Sequence, residues 1–274
     1  MTKIKILEVK ELTKKYDKFL LDNVNFDLES GNITGLIGPN GSGKTTTMKL
    51  ILRIIEPDSG DIIFSNNNIY KSDSMFYKEY IGYVGESIDY FIKCQLKDIK
   101  NFYKSFYRTW DENYYEMMME KFELIDTYRM MELSKGMRVK FSLCLALVHR
   151  PKLLLMDEPT SGLDPLVRNE ILAILKDYAK TNEASILFSS HITEDMAKIA
   201  DDLLFIYKGK IIEKCLTKNL LAKGMDIDSY LENLIKLKQG SGKDEKTVLK
   251  KYIVKQKEYC IRYISIVFFR HYQY

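Results

Sequence analysis

The chain has 274 residues, 46% of them hydrophobic and 29% charged, and its 42 Lys and Arg against 38 Asp and Glu give a formal net charge of +4. This composition excludes disorder throughout, and the near balance of charge argues against a protein that coats a polyanion. The sequence has no run of about 20 apolar residues and no apolar core near its start, so we expect a cytoplasmic protein that does not span a membrane.

Cysteine and histidine are scattered along the sequence, with no CxxC pair and no spacing typical of metal ligands. We therefore expect reduced thiols and no transition metal held by the protein. The residues concerned are Cys94, Cys144, Cys215 and Cys260, with His149, His191 and His271.

The first third of the chain predicts strands and one helix. Short segments of alternating apolar residues between positions 4 and 28 indicate a small antiparallel sheet. A buried strand at residues 33–37 then leads through a glycine-rich turn into a helix over residues 45–55, which Pro57 ends. Two further strands are predicted, at residues 61–64 and 80–84.

Residues 96–124 have a helical pattern with two apolar stripes, which we interpret as packing surfaces. Downstream, a helix at residues 137–148 is followed by uninterrupted apolar strands at 153–156 and 185–188, a pattern typical of a parallel sheet covered by helices. We therefore predict an α/β fold with inserted helices. The two stripes are Ile99, Phe102 and Phe106, and Tyr115, Met118, Met119 and Phe122.

Charge is concentrated after residue 232, where residues 233–274 hold ten Lys or Arg against three Asp or Glu. Residues 239–246 have the composition of a linker, and residues 252–274 alternate basic with aromatic and β-branched residues. We place a domain boundary near residue 232. Two interpretations of the segment that follows stay open: a small solvated appendage, or a segment that docks on anionic lipid.

The strongest motif is GPNGSGKT, which matches GxxxxGK[ST] between a predicted strand and a predicted helix. Its glycines let backbone N–H groups turn around a β-phosphate, Lys44 supplies a positive charge, and the Thr45 hydroxyl can bind Mg²⁺. The phosphate-binding residues predicted here are Gly38, Asn40, Gly41, Ser42, Gly43, Lys44, Thr45 and Thr46.

Polar residues follow two predicted strands at the edge where α/β folds bind ligands. Asp157 is placed to hold the Mg²⁺ shell, and Glu158 is placed to orient or deprotonate a water that attacks the γ-phosphate. His191, after the strand at 185–188, is placed to reach the γ-phosphate and hold that carboxylate in position. The predicted catalytic residues are thus Glu158, His191 and Lys44.

With these motifs in order, the chain resembles the nucleotide-binding subunit of an ABC transporter over residues 4–225. Tyr16 falls where that family places an aromatic that stacks on adenine, LSKGM at 133–137 where it places LSGGQ, and SGLD at 161–164 where it places its D-loop. The resemblance implies a P-loop NTPase core in residues 1–232, with an N-terminal antiparallel subdomain and a helical subdomain at about 87–150.

The resemblance further implies that two such subunits pair head to tail around ATP and Mg²⁺ and drive a separate membrane permease from the cytoplasmic face. Ser134, Gly136 and Asp164 would contact the nucleotide of the partner. The helix opened by Ser134 and Gly136 can grip a γ-phosphate with its N–H groups and dipole. No nucleic acid is expected.

The sequence departs from the family pattern at two places. Glu86 stands where the family most often has Gln, and we assign it to Mg²⁺ or its water. In the signature, Lys135 and Met137 replace Gly and Gln, and Lys135 either adds a positive charge near the partner's nucleotide or points to solvent. Together with residues 107–111, these features resemble the subgroup that exports drugs, bacteriocins or lipid-linked molecules, although Trp110 alone is more typical of packing.

Two alternatives in other functional classes remain. One is a soluble family member that acts on a ribosome or nucleic acid, which the single ATP site and the short separation of Gly38 from Asp157 disfavour. The other is a non-hydrolysing regulatory subunit, which the altered signature suggests and the retained Lys44, Glu158 and His191 disfavour.

Overall fold

The computed structural model describes residues 4–71, 76–85 and 91–239. The chain divides into two compact units, Met1–Ile227 and Asp228–Tyr274. Of the second unit the structure describes one helix, which extends to Gln239, and the predicted boundary at 232 falls within that helix. The basic residues after 239 lie outside the described residues.

The described strands, numbered in chain order, are β1 (Lys5–Tyr16), β2 (Phe19–Glu29), β3 (Ile33–Ile37), β4 (Ser59–Phe64), β5 (Asn67–Asn68), β6 (Ile81–Val84), β7 (Leu153–Asp157), β8 (Ser185–Ser189), β9 (Asp202–Tyr207) and β10 (Lys210–Leu216). The described helices are α1 (Lys44–Ile51), α2 (Leu96–Lys104), α3 (Glu112–Lys121), α4 (Lys135–Leu147), α5 (Pro165–Thr181), α6 (Thr193–Ile199), α7 (Thr217–Leu221) and α8 (Ile227–Gln239). Within the described ranges, no helix has the length and apolar character that a bilayer crossing demands.

The N-terminal strands form an antiparallel sheet in the order β2-β1-β4-β5. Tyr16 and Phe19 face each other across a two-residue turn between β1 and β2, so the hairpin is tight. This sheet confirms the antiparallel subdomain predicted from residues 4–28.

The second sheet has the order β10-β9-β3-β8-β7-β6, and its strands are parallel except for the antiparallel pair of β9 and β10. Every residue of β3, β7 and β8 is buried, which explains their uninterrupted apolar runs. Because these three strands are parallel neighbours, their carboxyl ends meet at one edge of the sheet. The predicted α/β fold is confirmed, and its three polar segments are brought together there.

Helix α1 connects the two sheets. Met48, Leu50 and Ile51 are at most 1% exposed and belong to one apolar cluster with residues of both sheets, such as Leu12 of β1 and Leu155 of β7. Burial of such side chains stabilises each by roughly 1.5–3 kcal/mol. The phosphate loop at the start of α1 is therefore attached to a rigid core.

Two predicted helices differ in extent. α1 ends at Ile51 rather than at residue 55, because Arg53 adopts a left-handed φ of 51° that no α-helix continues. α4 begins at Lys135 rather than at 137, because the hydroxyl of Ser134 caps it by accepting a hydrogen bond from the backbone N–H of Met137 at 3.2 Å.

The helical pattern of residues 96–124 forms two helices, with Asp111 capping α3. The second stripe is buried as predicted, with Tyr115, Met118, Met119 and Phe122 at most 6% exposed. The first is only partly buried: Ile99 is buried, whereas Phe102 is 50% and Phe106 62% exposed, and these two rings pack against each other with centroids 5.0 Å apart. α2 ends at Lys104, so Phe106 lies beyond the helix that carries Ile99 and Phe102.

Trp110 lies in the connection between α2 and α3. Its indole N–H donates to Glu112 at 3.0 Å, and its ring centroid is 5.8 Å from that of Tyr115. These contacts agree with the packing interpretation.

Candidate functional site

The glycine-rich loop lies between the end of β3 and the start of α1, and its backbone requires glycine at two positions. Gly43, which caps α1, has a φ of 116°, a conformation that residues with a side chain rarely adopt. A Cβ on Gly38 would lie 2.2 Å from the carbonyl oxygen of Ile206 on β9, so a side chain does not fit. The loop thus runs against the sheet and ends at a helix N-terminus, the arrangement that binds phosphate.

Lys44, the first residue of α1, is only 6% exposed. Its Nζ donates hydrogen bonds to the carbonyl oxygens of Gly38 at 2.8 Å and Pro39 at 3.4 Å. The same Nζ lies 3.5 Å from a carboxylate oxygen of Glu158. A positive charge is therefore held at the loop, where it attracts phosphate oxygens strongly because it is poorly solvated.

The loop borders a cleft of about 650 Å³, a size suited to a nucleotide-sized ligand. The lining residues among those described are Lys18, Phe19, Asn40, Gly41, Gly43, Lys44, Thr45, Thr46, Asp157 and Glu158. Beside it, the hydroxyl of Ser42 is buried and has no hydrogen-bond partner in the described part of the chain. Buried hydroxyls are normally paired, but Ser42 is not among the described residues that line the cleft, and its contact with phosphate stays a prediction.

Asp157, the last residue of β7, is held by two hydroxyl groups. Thr45 donates from Oγ1 to one carboxylate oxygen at 2.8 Å, and Ser189 donates from Oγ to the other at 2.7 Å. A carboxylate beside a hydroxyl offers the hard oxygen donors that Mg²⁺ prefers. In the described ranges no group of three or more Asp, Glu, His or Cys side chains could hold a metal ion, and Thr45 with Asp157 are the residues that would contact Mg²⁺ beside the phosphate loop.

Glu158 and His191 form a pair at the mouth of the cleft. His191 Nδ1 lies 2.6 Å from Glu158 Oε2, and the other carboxylate oxygen faces Lys44. Glu158 has a φ of 49°, an uncommon conformation for a residue with a side chain, and such conformations cluster at functional sites. Its backbone N–H donates to Ser189, on β8, at 3.1 Å. The carboxylate is thus fixed between a cation and an imidazole, as a group that orients or deprotonates water must be.

The predicted adenine-stacking residue lies beside the cleft. Tyr16 is 42% exposed, and its ring centroid is 6.4 Å from that of Phe19. Phe19, not Tyr16, is among the described residues that line the cleft. Phe19 was not predicted from the sequence. The signal for it is the two-residue turn that pairs Phe19 with Tyr16 and so brings the two rings together.

The signature and D-loop residues lie at the starts of α4 and α5. Ser134 caps α4, and Asp164 caps α5 by accepting from the backbone N–H groups of Leu166 and Val167. Gly136 packs against Val167, with 3.2 Å from an ideal Cβ to that side chain. None of the predicted partner-facing residues is among the described lining of the cleft.

Lys135 and Glu86 are the two positions at which the sequence departs from the family pattern and that carry charge. Lys135 is exposed, and its Nζ lies 2.9 Å from the point that a Cβ on Gly162 would occupy, so its side chain lies over the D-loop of its own chain. Glu86 lies outside the described residues, and its assignment to Mg²⁺ stays a prediction.

Comparison with known proteins gives a consistent result. Residues 21–161 match a family model described as ABC transporter. The chain is 33% identical over 240 residues to the ABC transporter ATP-binding protein YtrB of Bacillus subtilis, covering 87% of this chain and 78% of the relative. It is also 33% identical over 210 residues to the lantibiotic transport ATP-binding protein SrtF of Streptococcus pyogenes, covering 76% and 89%.

A solved structure of an ATP-binding subunit of an ABC transporter superposes with a TM-score of 0.75 at 26% sequence identity. The match covers 84% of this chain and 99% of that one. The likeness therefore extends over the whole of the solved subunit.

Proposed function

This chain belongs to the ABC transporter family as an ATP-binding subunit, and we propose that it hydrolyses ATP to drive a separate membrane permease, as an exporter. One observation supports the proposed hydrolysis above the others: Lys44, Glu158 and His191 form a continuous chain of contacts at a phosphate-binding loop.

In this proposal the phosphates of ATP lie in the loop from Gly38 to Thr46, with Lys44 at the β- and γ-phosphates. Thr45 and Asp157 would hold Mg²⁺, which would supply positive charge to neutralise the phosphates. The hydroxyl of Ser42, which lacks a partner in the described ranges, donates to a phosphate oxygen.

Glu158 orients the attacking water or accepts its proton in the proposed reaction. His191 holds the carboxylate through its 2.6 Å contact and is exposed enough, at 52%, to reach a γ-phosphate. The carboxylate lies within reach of both Lys44 and His191, so its position is set before water arrives. Such preorganisation lowers the reorganisation needed in the transition state.

We further propose that two ATP-binding subunits pair head to tail, so that Ser134 and Gly136 of one face the nucleotide of the other, with Asp164 beside them. None of these three residues is among the described lining of the cleft, so in this proposal they act at the nucleotide of the second chain. The N-terminus of α4 would grip the γ-phosphate and release it after hydrolysis, and the loss of that contact separates the subunits.

The permease partner, a location on the cytoplasmic face of the membrane and export of the cargo belong to the same proposal. Export is supported by the exporter-like LSKGM signature and by a relative named for lantibiotic transport. Co-purification with a membrane protein encoded beside this chain, followed by transport into or out of vesicles, tests both partner and direction. Failure to bind any such protein would favour a soluble ATPase.

The catalytic assignment is tested by the ATPase rate of Glu158→Gln. A general base contributes roughly 10²- to 10⁴-fold, so we expect a rate at least about 100-fold lower with ATP binding retained. Glu116→Gln, at an exposed position of α3, is the matched control and should hydrolyse normally. A normal rate in Glu158→Gln would remove Glu158 from its role, and a wild-type protein without hydrolysis would favour a regulatory subunit.

A further inference from the structure

A buried carboxylate joins the two segments that carry Glu158 and His191. Asp195 on α6 is 0% exposed, and so is Thr160, whose Oγ1 donates to Asp195 Oδ2 at 2.7 Å. Thr160 follows Glu158 by two residues, and Asp195 follows His191 by four. The hydrogen bond therefore fixes one segment against the other behind the cleft, which neither side chain lines in the described part of the chain.

The same carboxylate faces an arginine that holds the D-loop, residues 161–164. Arg168 on α5 donates from Nη2 to the carbonyl oxygen of Leu163 at 3.3 Å. Its Nη1 lies 3.9 Å from Asp195 Oδ1. A continuous set of contacts thus leads from the D-loop through Arg168, Asp195 and Thr160 to the segment of Glu158.

This set of contacts is incompletely hydrogen-bonded. Oδ1 of Asp195 and Nε of Arg168 are both buried and lack a hydrogen-bond partner in the described ranges. Burial raises the pKa of the Asp195 carboxyl, which shows that its charge is poorly solvated. The ion-pair contact, from Arg168 Nη1 to Asp195 Oδ1, measures 3.9 Å, about 1 Å longer than an ordinary N–H···O bond. A movement of that size would bring Nη1 within hydrogen-bond distance of Oδ1, so Asp195 Oδ1 gains a partner if Arg168 shifts toward it.

We propose that Asp195 is a positioning residue that couples the D-loop to the Glu158–His191 pair, through Arg168 on one side and Thr160 on the other. The inference rests on the proposed function, because it concerns how that site is held ready. A second chain seated against the D-loop shifts Arg168 toward Asp195, and the bond to Thr160 passes this constraint to Glu158. Asp195 does not touch ATP in this account.

The test compares two substitutions at one position. Thr160→Val keeps the volume but removes the hydroxyl, and Thr160→Ser keeps the hydroxyl. Because small misplacements of catalytic groups cost up to about 100-fold, we expect kcat for ATP hydrolysis to fall about tenfold or more in Thr160→Val, with KM changed less than about twofold. Thr160→Ser should keep kcat close to the wild-type value.

A second pair of variants covers the case in which Thr160→Val does not fold. Asp195→Asn keeps an oxygen for Thr160 but removes the charge that faces Arg168, and it should also lower kcat without raising KM. Glu194→Gln removes a carboxylate from the same turn of α6 at an exposed position and should behave as wild type. Equal losses in kcat and in ATP affinity, or a wild-type kcat in both test variants, would overturn the proposal.

An NMR measurement that needs no ATP hydrolysis separates this inference from the proposed function. The chain has three histidines, so the ¹⁵N-labelled imidazole signals of the nucleotide-free protein are few and that of His191 can be assigned by its loss in His191→Gln. Thr160→Val should shift the His191 signal, whereas Glu194→Gln should not. An unmoved signal would overturn the coupling even in an active enzyme, and a shifted signal in a protein without ATPase activity would leave the coupling standing while the proposed function fails.

Discussion

Gly38→Ala places a methyl group where the structure has no room. The new Cβ would lie 2.2 Å from the carbonyl oxygen of Ile206, whereas ordinary contacts begin at 3.4 Å, so loop and strand must separate by 1.2 Å. Overpacking of this kind costs typically 1–3 kcal/mol and occasionally more, and because a backbone atom must move, we expect about 3 kcal/mol of lost stability. The carbonyl of Gly38 also accepts the bond from Lys44, so the displaced loop should bind ATP about tenfold more weakly.

Gly41→Ala is the matched control in the same loop. Its Cβ would meet nothing within 4 Å, but its φ of 75° is left-handed, so only backbone strain of about 1–2 kcal/mol is expected. Urea unfolding gives the two free energies, and titration with a fluorescent ATP analogue gives the affinities. If Gly38→Ala were as stable as Gly41→Ala and bound ATP normally, the close approach of the loop to β9 would be wrong.

Two further predictions concern charge. Lys44→Ala should lose ATP affinity rather than only kcat, because its Nζ is held at the loop by two carbonyl oxygens; equilibrium binding checks this, and unchanged affinity would contradict it. For His149, burial lowers the pKa from 6.5 to about 4, so the folded state excludes a proton that the unfolded state binds. Stability should therefore fall by about 3 kcal/mol as pH drops from 6.5 to 4. His149→Gln should unfold with a flatter pH dependence over that window, and an unchanged slope would contradict the assignment.

The sequence was sufficient for the parts of the fold whose pattern is local. The strand, loop and helix around Gly38 were predictable because the motif needs that context, and β7 and β8 were predictable because a fully buried strand is apolar throughout. The exposure of the Phe102 and Phe106 rings was not predictable. Helical periodicity shows which residues share a face, but it does not show whether another element covers that face.

The candidate site was predicted where residues follow strands of the parallel sheet. Asp157, Glu158 and His191 converge because parallel neighbours share one edge, which is a rule that needs no coordinates. The bond between Thr160 and Asp195 was not predictable in this way, because it depends on how α6 packs behind that edge. Phe19 was not predicted because no motif marks it, and its place beside Tyr16 follows only from the tight turn between β1 and β2.

The central claim is that ATP joins two ATP-binding subunits and that its hydrolysis separates them. The most direct test is light scattering of Glu158→Gln with ATP and Mg²⁺, alone and with any second ATP-binding subunit encoded beside it. The account predicts that the mass rises from the 32.1 kDa of one chain to that of a pair, and that ADP or the added Lys44→Ala change abolishes the rise. A protein that binds ATP but stays monomeric under every one of these conditions would contradict the account.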